Sequence, residues 1–337
     1  MHRLFAFVRY RGRLAVTWLL CLAIVDSVWI GSMRLEAQER SKERRSAELP
    51  FGEFPFRDLP FFGGDNPMAR FFGVVRDPAE IAEIRQIEIR FKEEQEYGDR
   101  VFQAMRQEWK RRAIELVSRG ENADYIRALV EILRPQMRNH ARYDSVRVFI
   151  AETDETDAFS IPGGTIIVSR GMIDFARTEA ALLGVVGHEL AHLDRQHQLL
   201  PLQRSKRLES AFREPRAMNW DQMMRSASLL MSGFMQPFRP EDEAEADRDG
   251  ATWVYRANYD PRELAELFVR LGERNRAGQL MPSFLRTHPY PGDRQEAIQE
   301  LYEELQRTDP RDDLLTGRDH LRRRSPAGTP RRARRAG

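Results

Sequence analysis

The stretch Gly187-His188-Glu189-Leu190-Ala191-His192 lies inside an apolar run from Thr178 to about Gln198 that keeps a helical period. Residues four apart on a helix stand on one face, so His188 and His192 can aim two imidazole nitrogens at one point. That point suits a zinc ion. Glu189, one position round the helix from His188, is placed to take a proton from a water activated there, the mechanics of metal-assisted hydrolysis. A helix that carries two histidines and a glutamate by chance is the alternative that so short a pattern leaves open.

A catalytic zinc usually keeps three protein ligands and one open position. An elongated metzincin pattern needs Gly at position 195 and His at 198; Arg195 and Gln198 stand there, which excludes it. His197 lies five residues past His192, on another face of a continuing helix, and reads as a solvated surface histidine. Carboxylates remain. In Pro240-Glu241-Asp242-Glu243-Ala244-Glu245-Ala246-Asp247, a proline followed by acids announces a helix start. Glu243 and Asp247 share a face of that helix, so one carboxylate can reach a metal and the other can hold a ligating histidine by its second nitrogen. Glu241 and Asp242 read as an ordinary acidic first turn.

With these two segments in place, the chain resembles metallopeptidase family 48, a gluzincin family, through His188-Glu189-x-x-His192 followed by Glu243-x-x-x-Asp247. Asp157-Ala158-Phe159-Ser160-Ile161-Pro162-Gly163-Gly164 is similar to the family's hairpin, with Asp157 in place of the usual Asn, and Thr287-His288-Pro289 resembles its late His-Pro element. The likeness runs from about Arg111 to Leu305 and is nearest the soluble periplasmic branch. It implies one zinc ion per chain on His188, His192 and Glu243, with Glu189 as base and Asp247 behind a ligand. It brings His288 close to the metal, to contact zinc in a resting state or steady an oxyanion with Arg294 holding it; without it, His288 reads as a loop histidine. It also gives Ile161, Pro162, Gly163 and Gly164 a part in binding an extended polypeptide substrate, where the residues alone read as a simple turn.

The implied fold is mainly α with a small β-sheet (α+β), a gluzincin zinc-metallopeptidase domain. Ile81, Ile84, Ile87 and Phe91, then Val101, Met105, Trp109 and Ile114, predict two helices between Pro78 and Val117 with Gly98 as the break. A third spans Asp124 to about Met137. Val146, Val148 and Ile150 alternate as a strand, and Ile161 to Val168 forms a second strand region that should pair with it. Further helices are expected over Arg262 to about Arg274, after Asp260-Pro261, and over Asp293 to Leu305.

Four regions follow from composition. Residues 1–37 open with Arg3, Arg9, Arg11 and Arg13 before the apolar run Leu14 to Val25, as an export signal or an uncleaved signal anchor does. Extending the run to Ile30 gives 17 residues containing Asp26, short for a membrane span of ~20. Cys21 sits within this run, so the remainder has no cysteine to form a disulfide. Residues 38–77 form a Phe/Gly/Pro-rich linker, residues 78–307 the metallopeptidase domain, and residues 308–337 a polar, Arg-rich tail expected to be disordered. Residues 318–337 carry eight Arg against one Asp, so the rest of the chain, in a total of +2, is net acidic by five. No nucleic-acid partner is therefore expected for the body of the chain.

Between the two zinc segments, Met218, Trp220, Met223, Met224, Leu229, Leu230, Met231, Phe234 and Met235 recur at helical spacing and read as core rather than as a membrane or substrate surface. His140 and His320 read as surface residues. The functional expectation is a zinc endopeptidase acting on misfolded or unassembled envelope proteins, exported to the periplasm or cell envelope and associated with the membrane through its N-terminal segment. The competing expectation is a zinc-retaining, chaperone-like binding protein with little turnover, against which the intact Glu189 argues.

Overall fold

The computed structural model describes residues 78–211, 234–235, 237–276, 283–288 and 291–327. The expected signal and linker, nearly all of the Met-rich stretch and the last ten residues lie outside these. Phe234 and Met235 do lie within them, half-buried and packed against the apolar cluster under the sheet.

Helix α1 (Pro78–Arg85) and the long helix α2 (Phe91–Arg111) precede a short strand β1 (Leu116–Val117) and helix α3 (Glu121–Leu133). The strands β2 (Arg147–Ala151), β3 (Ala158–Ile161) and β4 (Thr165–Ser169) follow. After the short helix α4 (Arg170–Ala176) comes α5 (Glu179–Asp194), the helix that carries His188, Glu189 and His192, and then α6 (Leu200–Ala211). Helices α7 (Pro240–Arg256), α8 (Arg262–Arg276), α9 (Ser283–Thr287), α10 (Pro291–Thr308) and α11 (Arg318–Arg322) complete the order. The mainly helical architecture with a small sheet agrees with the sequence reading.

The sheet runs β1-β2-β4-β3. β2 and β4 pair in parallel, Val148 opposite Ile166 and Ile150 opposite Val168, as expected of the two apolar segments. β3 and β4 form an antiparallel hairpin, Phe159 opposite Ile167. The pleat sorts these side chains onto two faces. Val148, Ile150, Ala158, Ile166 and Val168 enter the main core with α3, α5, α7 and α8, whereas Phe159, Ile161 and Ile167 enter a second cluster with Tyr97, Val101 and Met105 of α2. Ser160 alternates with Phe159 and Ile161, so it faces α5.

Every residue of α5 is buried. A helix apolar on most sides belongs inside, and α7, α8, α3 and β3 pack around it. Thr178 caps it, its hydroxyl accepting from the Ala181 N–H at 3.1 Å. At its first turn Glu179 is wholly buried yet satisfied, accepting from the hydroxyls of Tyr125 at 2.6 Å and Tyr259 at 2.7 Å and from the Ala327 N–H at 3.0 Å.

Two expectations are corrected. Gly98 is no break: α2 runs straight through it, and the interruption falls between Arg85 and Phe91. A Cβ on Gly98 would lie 1.8 Å from the carbonyl oxygen of Pro162, so the glycine is there because the β3–β4 turn passes against it. The C-terminal region is also more ordered than its composition suggests. Leu315 exchanges backbone hydrogen bonds with Asn258 and Asp260 (3.0 Å each), the Thr316 carbonyl accepts from the Ala180 N–H at 3.1 Å, and Leu321 is buried. These backbone pairings and one apolar anchor hold residues up to Ala327 on the domain despite their charge.

The contact that places the two site-bearing helices is between glycines. A Cβ on Gly250 of α7 would come within 2.7 Å of the His188 backbone nitrogen, and one on Gly187 within 3.2 Å of Gly250 Cα. Gly250→Ala therefore pushes α7 away from α5; we expect a loss of about 1–3 kcal/mol in urea unfolding together with weakened binding of any metal held between the two helices. Unchanged stability and unchanged metal affinity would show that the close approach is not required.

Candidate metal centre

One turn of α5 brings His188 and His192 side by side, with their Nε2 atoms 3.0 Å apart. The first turn of α7 delivers Glu243, whose Oε1 lies 3.3 Å from His192 Nε2 and whose Oε2 lies 3.7 Å from His188 Nε2. His288, at the end of α9, closes the group: its Nδ1 is 3.0 Å from both His188 Nε2 and Glu243 Oε1. Its ring stacks on Phe284, one turn earlier, at 4.4 Å between centroids. All four are at most 1 % exposed, and one donor atom from each falls within a common 4.8 Å.

Behind the ligands stands a charge network. His188 Nδ1 meets Asp247 Oδ1 at 2.9 Å, which fixes the proton on Nδ1 and leaves the Nε2 lone pair facing the cluster. Arg294 of α10 grips Asp247 with two bonds (2.6 and 2.7 Å) and reaches Glu243 Oε2 at 2.7 Å. It also donates to the His288 carbonyl at 3.3 Å and lies over the Phe268 ring at 4.0 Å. Burial by itself would raise the pKa of Glu243, but Arg294, His288 and His188 outweigh it and hold the carboxyl well below its ordinary range. Burial and the neighbouring His188 push His192 well below the usual imidazole value, so it stays neutral. His288 goes the other way: burial lowers it, and the carboxylates of Glu243 and Glu189 overcome that and raise it.

This donor set fits zinc. Neutral imidazoles and an ionised carboxylate are zinc's ligands, and three histidine nitrogens, with His188 Nε2 3.0 Å from each of the other two, are natural partners of a shared cation.

Glu189 sits beside the cluster. Ser160 Oγ donates to its Oε2 at 2.7 Å, and Gln198 Nε2 in turn donates to Ser160 Oγ at 2.6 Å. The other oxygen, Oε1, is buried without a hydrogen-bond partner and stands 3.3 Å from His288 Nε2. One face of the glutamate is thus held and the other is available.

The seven residues singled out in the sequence for this centre (His188, Glu189, His192, Glu243, Asp247, His288 and Arg294) are brought together. The hairpin turn is not. Pro162 packs on Gly98, and the Gly163 N–H donates to Glu94 Oε1 at 2.9 Å, so α2 covers the turn and the part of the hairpin that reaches the centre is Ser160. Ser160 carried one signal in the sequence: a polar residue between Phe159 and Ile161 in an otherwise apolar strand.

His197 is corrected outright. It is buried, with Nδ1 2.9 Å from His192 Nδ1 and Nε2 3.3 Å from Glu245 Oε2. The helix does not continue to it: α5 stops at Asp194, and Gln196, at φ 60°, turns the chain back on itself. The hydrogen bond from His197 outweighs the partial burial of Glu245 and, joined by Arg195, draws its pKa down to about 2. Asp242, read as an ordinary first-turn acid, is buried between Arg85 of α1 and Arg239 and ties α1 to the start of α7.

Replacing Arg294 with Met leaves two buried carboxylates without their cation. For the metal-free protein we expect a destabilisation of about 3–5 kcal/mol, read as a fall in thermal midpoint on the order of 10 °C. A midpoint that does not move would show the network to be energetically idle.

Comparison with known proteins agrees with this geometry. The chain is 25% identical over 175 residues to the Beta-barrel assembly-enhancing protease of Yersinia pestis, covering 46% of this chain and 35% of that protein. It is 25% identical over 161 residues to the protein of that name from Escherichia coli K12, covering 43% and 32%. It is 28% identical over 153 residues to the Mitochondrial metalloendopeptidase OMA1 of Arabidopsis thaliana, covering 45% and 30%. The chain thus spans about a third of the length of these relatives. The family model of Peptidase family M48 matches residues 121–302, from the first residue of α3 into α10, a span that contains every residue of the cluster and more than half of the chain. The chain belongs to peptidase family M48.

Proposed function

We propose that this protein is a zinc-dependent endopeptidase in which His188, His192 and Glu243 hold one zinc ion and Glu189 is the general base. The observation that carries the reading is the pairing of a converged His/His/carboxylate set with a glutamate fixed on one side by Ser160 and facing the cluster with its other oxygen. When bound, zinc supplies Lewis-acid polarisation of a scissile carbonyl and acidifies a water. Glu189 takes the proton at Oε1 and returns it to the leaving amine. Asp247 keeps His188 in the ligating tautomer, and Arg294 fixes Asp247 and Glu243 together. His288, with its Nε2 facing Glu189 and its Nδ1 facing Glu243, is the cluster's charge partner and is set to steady a developing oxyanion.

A polypeptide substrate enters along β3, the edge of the sheet beside α5. In the structure the Thr156 carbonyl accepts from the Phe284 N–H at 3.0 Å and the Ser160 carbonyl from Gln198 Nε2 at 3.3 Å. An extended peptide pairing with this edge takes the place of those contacts. The basic and apolar opening of the chain supports export to the cell envelope, and the name of the bacterial relatives, beta-barrel assembly-enhancing protease, supports envelope proteins under assembly as substrates. Among the described residues no helix is long and apolar enough to cross a membrane.

Glu189→Gln should retain zinc, because the ligands survive, while cleavage of an unfolded polypeptide falls by roughly 100-fold or more. Glu243→Ala should lose both zinc and cleavage. A chelator should arrest the wild type and added zinc restore it. Full activity in Glu189→Gln with zinc bound would sink the base assignment.

A further inference from the structure

We propose that His197 and Glu245 orient the zinc ligand His192, doing for it through two residues what Asp247 does for His188 through one. The inference rests on the zinc reading above and extends it to residues that touch neither metal nor substrate.

Both ligating histidines turn Nε2 toward the cluster, so each must satisfy Nδ1 from behind in a site that excludes water. For His188 the partner is a carboxylate, Asp247. For His192 it is another imidazole, His197 Nδ1 at 2.9 Å. Two ring nitrogens at that distance share one proton. A lone pair on His192 Nε2 requires the proton on its Nδ1, so His192 donates and His197 Nδ1 accepts. His197 then carries its own proton on Nε2, which faces Glu245 Oε2 at 3.3 Å. Each bond in the chain has one donor and one acceptor, and it ends on an anion. The opposite tautomer of His192 aims an N–H at the cluster and cannot ligate.

The two supports match in construction. Glu245 and Asp247 are two residues apart on α7, and an arginine holds each: Arg294 grips Asp247, and Arg195 reaches Glu245 Oε2 at 2.7 Å. Asp242 Oδ1, itself paired with Arg85 and Arg239, stands 4.0 Å from His197 Nε2 and adds to the negative field there. The ring of His192 is confined as well, edge-on to His197 (76°) and stacked on Phe238 at 4.0 Å and 24°. The left-handed turn at Gln196 makes the arrangement, since it folds His197 back beneath the helix that carries His192. A non-glycine residue in that conformation is strained, and such strain is more often found at functional sites than elsewhere.

The test compares wild type with His197→Phe, His197→Asn and Glu245→Ala by competition for zinc against a chromophoric chelator. The absorption spectrum of the cobalt-substituted proteins and the thermal midpoint of the metal-free proteins are recorded alongside. Phe keeps the ring but not the acceptor, and we expect its zinc dissociation constant to rise about 10–100-fold with an altered cobalt spectrum. Asn presents a carbonyl oxygen near the position of Nδ1 and should recover most of that loss. Glu245→Ala, at a part-exposed position, should weaken zinc by a smaller factor, about 3–10-fold, with the metal-free midpoint unchanged. Zinc affinity equal to wild type in both His197→Phe and Glu245→Ala overturns the proposal. Should His197→Phe not fold, Glu245→Ala decides alone, and an unchanged dissociation constant there overturns it. A wild-type chain that binds no zinc overturns instead the reading of the centre on which this one rests.

Discussion

The arrangement depends first on one buried guanidinium. Arg294 stands between Asp247 and Glu243, and without it two carboxylates inside a dry core repel each other and lose their hydration with no return. With it, Asp247 is free to hold His188, and Glu243 can face the histidines as an anion. The balance is still short of positive charge. Glu189, Glu243 and Asp247 set three carboxylates against one guanidinium, an excess of two negative charges in a buried space. The raised pKa of His288 is the protein's own partial answer, a proton drawn in by Glu243 and Glu189. A dication answers it fully. The same surplus that makes the metal-free site uncomfortable favours a divalent cation there.

The rest of the fold serves to keep these charges at their distances. Gly187 and Gly250 let α5 and α7 approach backbone to backbone, and a side chain at Gly250 would force the two helices apart. From the other side the sheet brings β3 against α5, and the pleat turns Ser160 toward Glu189 while Phe159 and Ile161 fill the cluster beneath. That lower cluster is anchored by Glu94 of α2. It is buried yet satisfied by Arg142, the Tyr143 hydroxyl and the Gly163 N–H, so it locks the β3–β4 turn to the helix. The hairpin is therefore a fixed wall.

What the sequence disclosed and what it hid have one physical cause. His188, His192, Glu243 and Asp247 were legible because each pair lies within one uninterrupted helix, where spacing dictates the face. His197 was misplaced by the same rule applied three residues too far: nothing in Arg195-Gln196 marks the stop, since Gln in a left-handed conformation has no compositional signature of the kind glycine provides. Gly98 misled in the opposite sense. A glycine signals either a break or a close approach, and only the Pro162 backbone, 64 residues away in sequence, says which. Long-range backbone pairing likewise determines the order in the C-terminal region, where composition reports polarity and not the hydrogen bonds of Leu315 and Thr316. His288 and Arg294 were reached by family resemblance, because no local pattern joins a loop histidine and a helix arginine to a carboxylate 45 or 47 residues before them.

The proposed entry of a peptide along β3 would tie substrate register to chemistry. Ser160 sends its hydroxyl to Glu189 and its carbonyl to the outer edge of β3, where Gln198 Nε2 meets it, so the proposed base and the edge are held by one residue of one strand. A peptide paired along β3 advances ~3.3 Å per residue, and shifting it by one residue reverses which side chains face α5 and moves the scissile carbonyl by more than a hydrogen-bond length from Glu189 Oε1. Under the proposed pairing, cleavage would be set by the backbone register on β3 more than by any single side-chain pocket. Tolerance of diverse side chains would follow from that, provided the substrate segment can become extended, and an extended segment is what an unfolded or unassembled chain offers and a folded domain withholds.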